Sequence, residues 1–141
     1  MKRNASALWQ GNLQQGKGQI SVQSGVLKDQ AYSFKARFQD ETGRSGTNPE
    51  ELLAAAHAAC FAMQLSHYLA ENDTPPTRLE AAAIVELIPG KGISGSAIAL
   101  RALVPGITKS KFQELAEKAK KDCPVSKALA SIEITLAIDL E

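Results

Sequence analysis

One almost entirely apolar stretch, NPEELLAAAHAACFAMQLSHYLAE at residues 48 to 71, constrains the fold more than any other part of the chain. Thr47 or Asn48 can cap a helix here, and Pro49 suits its first turn. The apolar residues that follow are not confined to one stripe, which is typical of a helix buried on most sides. We therefore predict a helix that runs to about Glu71 and lies at the centre of the molecule or of a dimer.

Strands are predicted on both sides of this helix. In AYSFKARFQ, Tyr32, Phe34, Ala36 and Phe38 alternate with polar residues, as in a strand with one buried face. The later segments read as two long strands joined by PGKGI, an amphipathic helix in TKSKFQELAEKAKKD, a short helix in CPVSKALAS and a closing strand in IEITLAIDL. This order predicts an α+β fold with mainly antiparallel pairing, in one domain that spans residues 1 to 141.

Composition argues against some classes of protein. The chain has 16 basic and 15 acidic residues, whereas nucleic-acid-binding domains usually carry a strong basic excess. The N-terminus lacks the apolar core of a signal peptide, and no segment has the length of a membrane span. We therefore expect a cytoplasmic protein that binds neither nucleic acid nor membrane. In that reducing compartment the two cysteines are expected to be free thiols or a transient redox pair.

The two cysteines occupy different settings. Cys60 lies in the middle of the apolar helix, where it could serve simply as a small hydrophobic residue. Cys123 precedes Pro124 and so occupies the cap position of a short helix, where free backbone N–H groups favour a thiolate. The sequence spacing leaves open whether the two thiols meet in the fold.

Arg37 and Glu50 are further candidates, and each has an ordinary alternative. Arg37 could face solvent, or its guanidinium could stabilise a thiolate at Cys60. Glu50 suits a first helical turn, or it could hold Arg37 through a charged hydrogen bond. Ten residues of unbroken helix would separate Glu50 from Cys60 by about 15 Å. Either the helix kinks, or the Glu50 that serves Cys60 belongs to a second subunit, which suggests a dimer with shared sites.

His57 lies three residues before Cys60 on the same helical face. The two could be the base and nucleophile of a cysteine hydrolase, or two ligands of a metal. A zinc site needs about four ligands, and the rest of the chain shows no metal-type spacing. A pair at i,i+3 also rarely aligns for a hydrogen bond along one helix. We therefore expect neither arrangement.

Together, three parts of the chain resemble the OsmC/Ohr family of osmotically inducible and organic hydroperoxide resistance proteins. They are GTNPEELLAAAHAACFAM at 46 to 63, CPVSKAL at 123 to 129, and the N-terminal ALWQG, GKGQISVQSGVL and YSFKARF. The PEELLAAAHAACF wording, and an extra hairpin before the arginine segment, are closer to the OsmC branch than to the Ohr branch. The resemblance extends over nearly the whole chain.

The resemblance implies both a fold and an activity. The fold would be an intertwined α+β homodimer, with mainly antiparallel sheets around two long central helices. The protein would be a thiol-dependent peroxidase in oxidative and osmotic stress defence. It would reduce organic hydroperoxides, and hydrogen peroxide more weakly.

The resemblance also implies roles for four residues. Cys60 matches the peroxidatic cysteine and Cys123 the resolving cysteine, which would join in a disulfide. Arg37 and Glu50 match the pair that activates the peroxidatic thiolate. No cofactor or metal is implied, and an external dithiol, for example of the lipoyl type, would reduce the disulfide.

An apolar wall of Leu53, Phe61 and Met63 is expected to favour an organic substrate over hydrogen peroxide. Two rival functions follow from the same residues. One is a binding protein that keeps the fold without activity, and the other is a hydrolase that uses Cys60 and His57. Replacing His57 by Asn should inactivate the hydrolase, whereas the peroxidase should tolerate the change unless packing suffers.

Overall fold

A computed structural model describes residues 1–141, which divide into two compact units at residues 1–49 and 50–141. The elements of the first unit are β1 (Ala5–Gln10), β2 (Lys17–Val22), β3 (Gln30–Tyr32) and α1 (Phe34–Phe38). The helix α2 (Pro49–Glu71) begins at the boundary and is followed by β4 (Arg78–Ile88), β5 (Gly92–Leu103), α3 (Lys109–Asp122), α4 (Pro124–Ala128) and β6 (Glu133–Leu140). That these units fold as one domain stays a prediction.

The first unit is a three-stranded antiparallel sheet in the order β1-β2-β3, followed by α1. Our prediction of a strand through residues 31 to 39 was wrong beyond Tyr32. Ser33 caps a helix there, because its hydroxyl accepts a 3.1 Å hydrogen bond from the Ala36 N–H. The alternating aromatics fit this helix too, since Phe34 and Phe38 are one turn apart, with ring centroids 4.9 Å from each other. Arg37 therefore belongs to a helix and not to a strand.

The second unit contains a sheet in the order β4-β5-β6. Strands β4 and β5 form the predicted antiparallel hairpin, whereas β5 and β6 run parallel. A parallel pair needs a crossover connection, and α3 and α4 supply it. Three of the four strand pairings are antiparallel, which confirms the α+β class with mainly antiparallel sheets.

Helix α2 confirms the predicted helix, and a single chain covers one side of it. Its fully buried residues recur every fourth position, and the three apolar ones pack with residues of β5 and α3 in one core. They are His57, Phe61, Leu65 and Leu69. The opposite side is apolar and exposed, and Met63 there retains 75% of its accessible surface. No helix of the chain has the length and apolar character needed to cross a membrane.

Candidate active site

The fold brings the two cysteines together. Cys60, on α2, and Cys123, between α3 and α4, place their sulfur atoms 2.7 Å apart. Both are free thiols, with Cys60 half-buried and Cys123 fully buried. Because a disulfide needs a sulfur separation of about 2.0 Å, only a small shift would join them. The arrangement can therefore cycle between a dithiol and a disulfide.

Cys123 owes its place to the junction of two helices. Helix α3 ends at Asp122, and Pro124 opens α4, so Cys123 is at once the last cap of one helix and the first cap of the next. The predicted cap position is confirmed, but the Cys123 side chain makes no capping hydrogen bond. Instead the backbone N–H of Val125, in the first turn of α4, bonds to the sulfur of Cys60.

The chemical state of Cys60 depends on opposing influences. Burial raises the pKa of the Cys60 thiol, the hydrogen bond between the Cys60 and Cys123 thiols raises it further, and the Val125 N–H lowers it. The net direction is upward, so the surroundings within this unit keep Cys60 protonated at neutral pH. A cation brought close to Cys60 would be needed to generate the reactive thiolate.

His57 is fully buried and both of its ring nitrogens bind serine hydroxyls. Nδ1 lies 2.7 Å from the Ser96 hydroxyl of β5, and Nε2 lies 2.8 Å from the Ser126 hydroxyl of α4. Burial lowers the pKa of His57, which keeps the imidazole neutral. A neutral imidazole has one donor and one acceptor nitrogen, and the two serines occupy both. His57 is therefore not placed to act as a base for Cys60.

Ser96 and Ser126 were not among the residues predicted from the sequence, although strand alternation is a signal for Ser96. Ser96 shares the inward face of β5 with Ile98 and Leu100, so strand alternation places a hydroxyl inside the core, where it needs a partner. Ser126 lies three residues after Cys123 and is the buried residue of α4. No group of three or more His, Cys, Asp or Glu side chains comes together so as to hold a metal ion.

Arg37 and Glu50 lie in other elements. Arg37 is in the first unit, where its guanidinium stands 4.9 Å from the centre of the Phe38 ring. Glu50 is in the first turn of α2, and this helix runs without a break to Glu71. The separation of Glu50 from Cys60 along the helix is therefore about 15 Å within one chain. Both Arg37 and Glu50 make further polar or electrostatic interactions.

The first unit also has a cavity of its own, with a volume of about 230 Å³. The Arg37 side chain borders the cavity, and aromatic side chains dominate its lining. These aromatic residues are Trp9, Tyr32, Phe34 and Phe38.

The predicted apolar wall of Leu53, Phe61 and Met63 needs correction, because Phe61 is fully buried in the core and has no surface left for a substrate.

Known proteins show clear similarity to this chain. A family model described as OsmC-like protein matches residues 40–137. Peroxiredoxin OsmC of Escherichia coli (strain K12) is 44% identical over 142 residues, which cover 99% of this chain and 96% of that protein. An organic hydroperoxide resistance protein of Xanthomonas axonopodis pv. citri (strain 306) is 35% identical over 120 residues, covering 80% of this chain and 83% of that one. The crystal structure of the organic hydroperoxide resistance protein OhrB of Bacillus subtilis is similar, with a TM-score of 0.67, 28% identity and 98% coverage of each chain.

Proposed function

This chain belongs to the OsmC-like protein family, and we propose that it works there as a thiol-dependent peroxidase that reduces organic hydroperoxides through Cys60 and Cys123. The observation that carries this proposal is the 2.7 Å separation of the two sulfur atoms. Relatives named peroxiredoxin and organic hydroperoxide resistance protein support the same activity and a role in stress defence. The enzyme therefore needs two thiols and no prosthetic group.

The reaction proceeds in three balanced steps. The Cys60 thiolate attacks the terminal oxygen of the hydroperoxide, the O–O bond breaks, and the alkoxide takes up a proton and leaves as an alcohol. Cys60 is now a sulfenic acid. The Cys123 sulfur attacks the Cys60 sulfur, the S–O bond breaks, and water leaves with the Cys123 proton. An external dithiol reduces the resulting disulfide by exchange.

Activation of Cys60 is the role of Arg37 and Glu50 in this scheme. Burial disfavours the thiolate at Cys60, and a guanidinium, which never loses its proton, is the fixed cation that compensates for it. Glu50 holds Arg37 through a charged hydrogen bond. The matching positions of Arg37 and Glu50 in the family motifs support both roles.

The aromatic cavity of the first unit is the proposed binding place for the organic group of the substrate. Its lining is apolar except for Arg37 and a few polar groups, which suits a hydrocarbon tail that ends in a peroxide. The reductant is a dithiol, for example of the lipoyl type, because a dithiol can close its own disulfide and drive the exchange to completion. A reducing compartment such as the cytoplasm supplies such thiols and is the proposed location.

Consumption of cumene hydroperoxide with dihydrolipoamide as the reductant tests this function. We expect sustained turnover, and after one equivalent of peroxide we expect both thiols to disappear together. The rate with cumene hydroperoxide should exceed the rate with hydrogen peroxide by at least about tenfold, since only the organic substrate gains apolar contacts. Persistence of both thiols would overturn the function. Equal rates with the two peroxides would overturn the assignment of the cavity.

A homodimer with shared sites is part of the proposal. Helix α2 is unbroken, which places Glu50 of one chain far from its own Cys60, and its exposed apolar side suits burial against a second copy. Glu50 then serves the Cys60 of the partner subunit.

Complementation between two inactive variants tests this sharing. A heterodimer of Cys60→Ser and Glu50→Ala, purified through two different affinity tags, should regain about half of the wild-type activity, since one of its two sites is intact. Each variant homodimer should stay inactive. Mixed Cys60→Ser and Cys123→Ser subunits are the matched control, and they should not recover if both cysteines of a site belong to one chain. A heterodimer as inactive as its parents would place Glu50 in the same chain as the Cys60 that it serves.

A further inference from the structure

We propose that His57 is a positioning residue for the second step of catalysis, because it ties α4, and with it Cys123, to the helix that carries Cys60. The proposal rests on the proposed function, since it concerns the capture of the Cys60 sulfenic acid by Cys123. His57 acts through Ser126 and Cys123 and does not touch the reacting oxygen.

The tie consists of two buried hydrogen bonds in series. Ser96 of β5 bonds to Nδ1 of His57, at 2.7 Å, and Ser126 of α4 bonds to Nε2, at 2.8 Å. All three side chains are at least 96% buried, so water cannot replace either bond at low cost. Ser96, on the central strand of its sheet, fixes the orientation of the ring, and the ring holds α4 through Ser126.

Helix α4 depends on contacts with the rest of the fold, and Ser126 provides the buried one. It contains five residues, too few to be stable as an isolated helix, and Ser126 is its buried residue. Cys123 lies directly before α4, and the Val125 N–H that contacts the Cys60 sulfur belongs to α4 as well. A displacement of α4 therefore moves both the Cys123 thiol and the Val125 N–H relative to the Cys60 sulfur.

The main chemical consequence falls on the second step of the reaction. When Cys60 has become a sulfenic acid, the Cys123 sulfur must reach it, form the S–S bond and release water. A second hydroperoxide molecule competes by oxidising the same sulfenic acid to a sulfinic acid, which thiols do not reverse. A firmly held Cys123 favours the disulfide, and a loosely held Cys123 favours the sulfinic acid.

Matched substitutions separate positioning from general damage. Glutamine can place its amide near the position of Nε2 and keep the contact with Ser126, whereas asparagine is shorter and reaches only the position of Nδ1. Ser126→Ala removes one hydroxyl from the tie, and Ser131→Ala removes an exposed hydroxyl just beyond α4 as a control. Circular dichroism and thermal unfolding establish that each variant is folded.

The test follows Cys60 by mass spectrometry after rapid mixing with cumene hydroperoxide, with dimedone to trap the sulfenic acid. In Ser126→Ala and His57→Asn we expect disulfide formation to be about tenfold slower and sulfinic acid to accumulate, as the loss of one buried hydrogen bond would give. For His57→Asn this replaces the tolerance expected from the sequence, because the structure shows the bonds of His57 to Ser96 and Ser126. The rate of sulfenic acid formation should fall much less, by no more than about threefold, since the Val125 N–H is only one influence on the Cys60 thiolate, whereas the second step needs Cys123 itself in place. His57→Gln and Ser131→Ala should behave like wild type.

A second readout does not depend on peroxide. In a glutathione redox buffer, the effective concentration of Cys123 towards Cys60 should fall about tenfold in Ser126→Ala and His57→Asn. If wild type does not react with hydroperoxides but the effective concentration still decreases in these variants, the proposed function fails and the positioning role stands. Unchanged disulfide formation and effective concentration in both variants would overturn the positioning role. So would an equal loss of the first and second steps, which would show general damage to the site.

Discussion

Replacing Cys60 by serine should reduce the turnover of cumene hydroperoxide by at least about a thousandfold, because a serine hydroxyl is not ionised at neutral pH and cannot take up the oxygen reversibly. The change is nearly isosteric and removes no core packing, since Cys60 is only half-buried. The measurement is steady-state peroxide consumption with dihydrolipoamide. Retained turnover in Cys60→Ser would remove this residue from the mechanism and return it to the role of a packing side chain.

The Cys123→Ser variant is the informative partner of this experiment. It should still form one sulfenic acid at Cys60, so one thiol disappears per chain where wild type loses two. Without a resolving thiol the sulfenic acid persists and is oxidised further to a sulfinic acid, so activity decays over successive turnovers. Wild-type behaviour of Cys123→Ser would mean that the 2.7 Å contact between the sulfurs has no part in the cycle.

The second large effect is expected at Arg37. Replacing it by glutamine removes the proposed cation, while burial continues to raise the pKa of Cys60. The Cys60 thiolate is the reactive form, so the pH–rate profile should keep its shape and move to higher pH. The rate at neutral pH should therefore fall by about a hundredfold, whereas the rate in alkali should be much less affected.

Titration of the Cys60 thiolate by ultraviolet absorbance, in a Cys123→Ser background, checks this shift directly. Lys35→Gln is the matched control, because Lys35 is an exposed cation in the same helix α1 and its loss changes net charge by the same amount. Arg37→Lys should give an intermediate profile, since lysine keeps the charge but not the paired donors of the guanidinium. A profile that does not move in Arg37→Gln would mean that another group ionises Cys60.

Local patterns in the sequence predicted much of the fold. The ends of α2 follow from Pro49 in its first turn and from the prolines after Glu71, and the alternation in β6 follows from its inward Ile134, Leu136 and Ile138. The same reasoning failed at residues 33 to 38, because the spacing of the aromatics there fits a strand and a short helix equally well. The side chain of Ser33 caps this segment, and this cap stabilises the helix rather than the strand.

The chemistry of the candidate site was predictable only in part. Family motifs in the sequence made Cys60, Cys123, Arg37 and Glu50 candidates, a prediction that still awaits its test, and the adjacent Pro124 correctly placed Cys123 at a helix cap. The contacts observed around Cys60 and Cys123 join elements far apart along the chain. The Cys60–Cys123 pair and the Ser96–His57–Ser126 bonds depend on how α2, β5 and α4 pack.

What the sequence determined is therefore residue type and local conformation, since propensity, capping and periodicity act over a few neighbouring residues. What only the tertiary structure decided is which side chains meet. The parallel pairing of β5 with β6 fixes the path of the crossover that carries α3 and α4, and that path delivers Cys123 and Ser126 to the middle of α2. Burial at that place then sets the direction of the Cys60 pKa and gives His57 its two partners, because burial is a property of the packed fold.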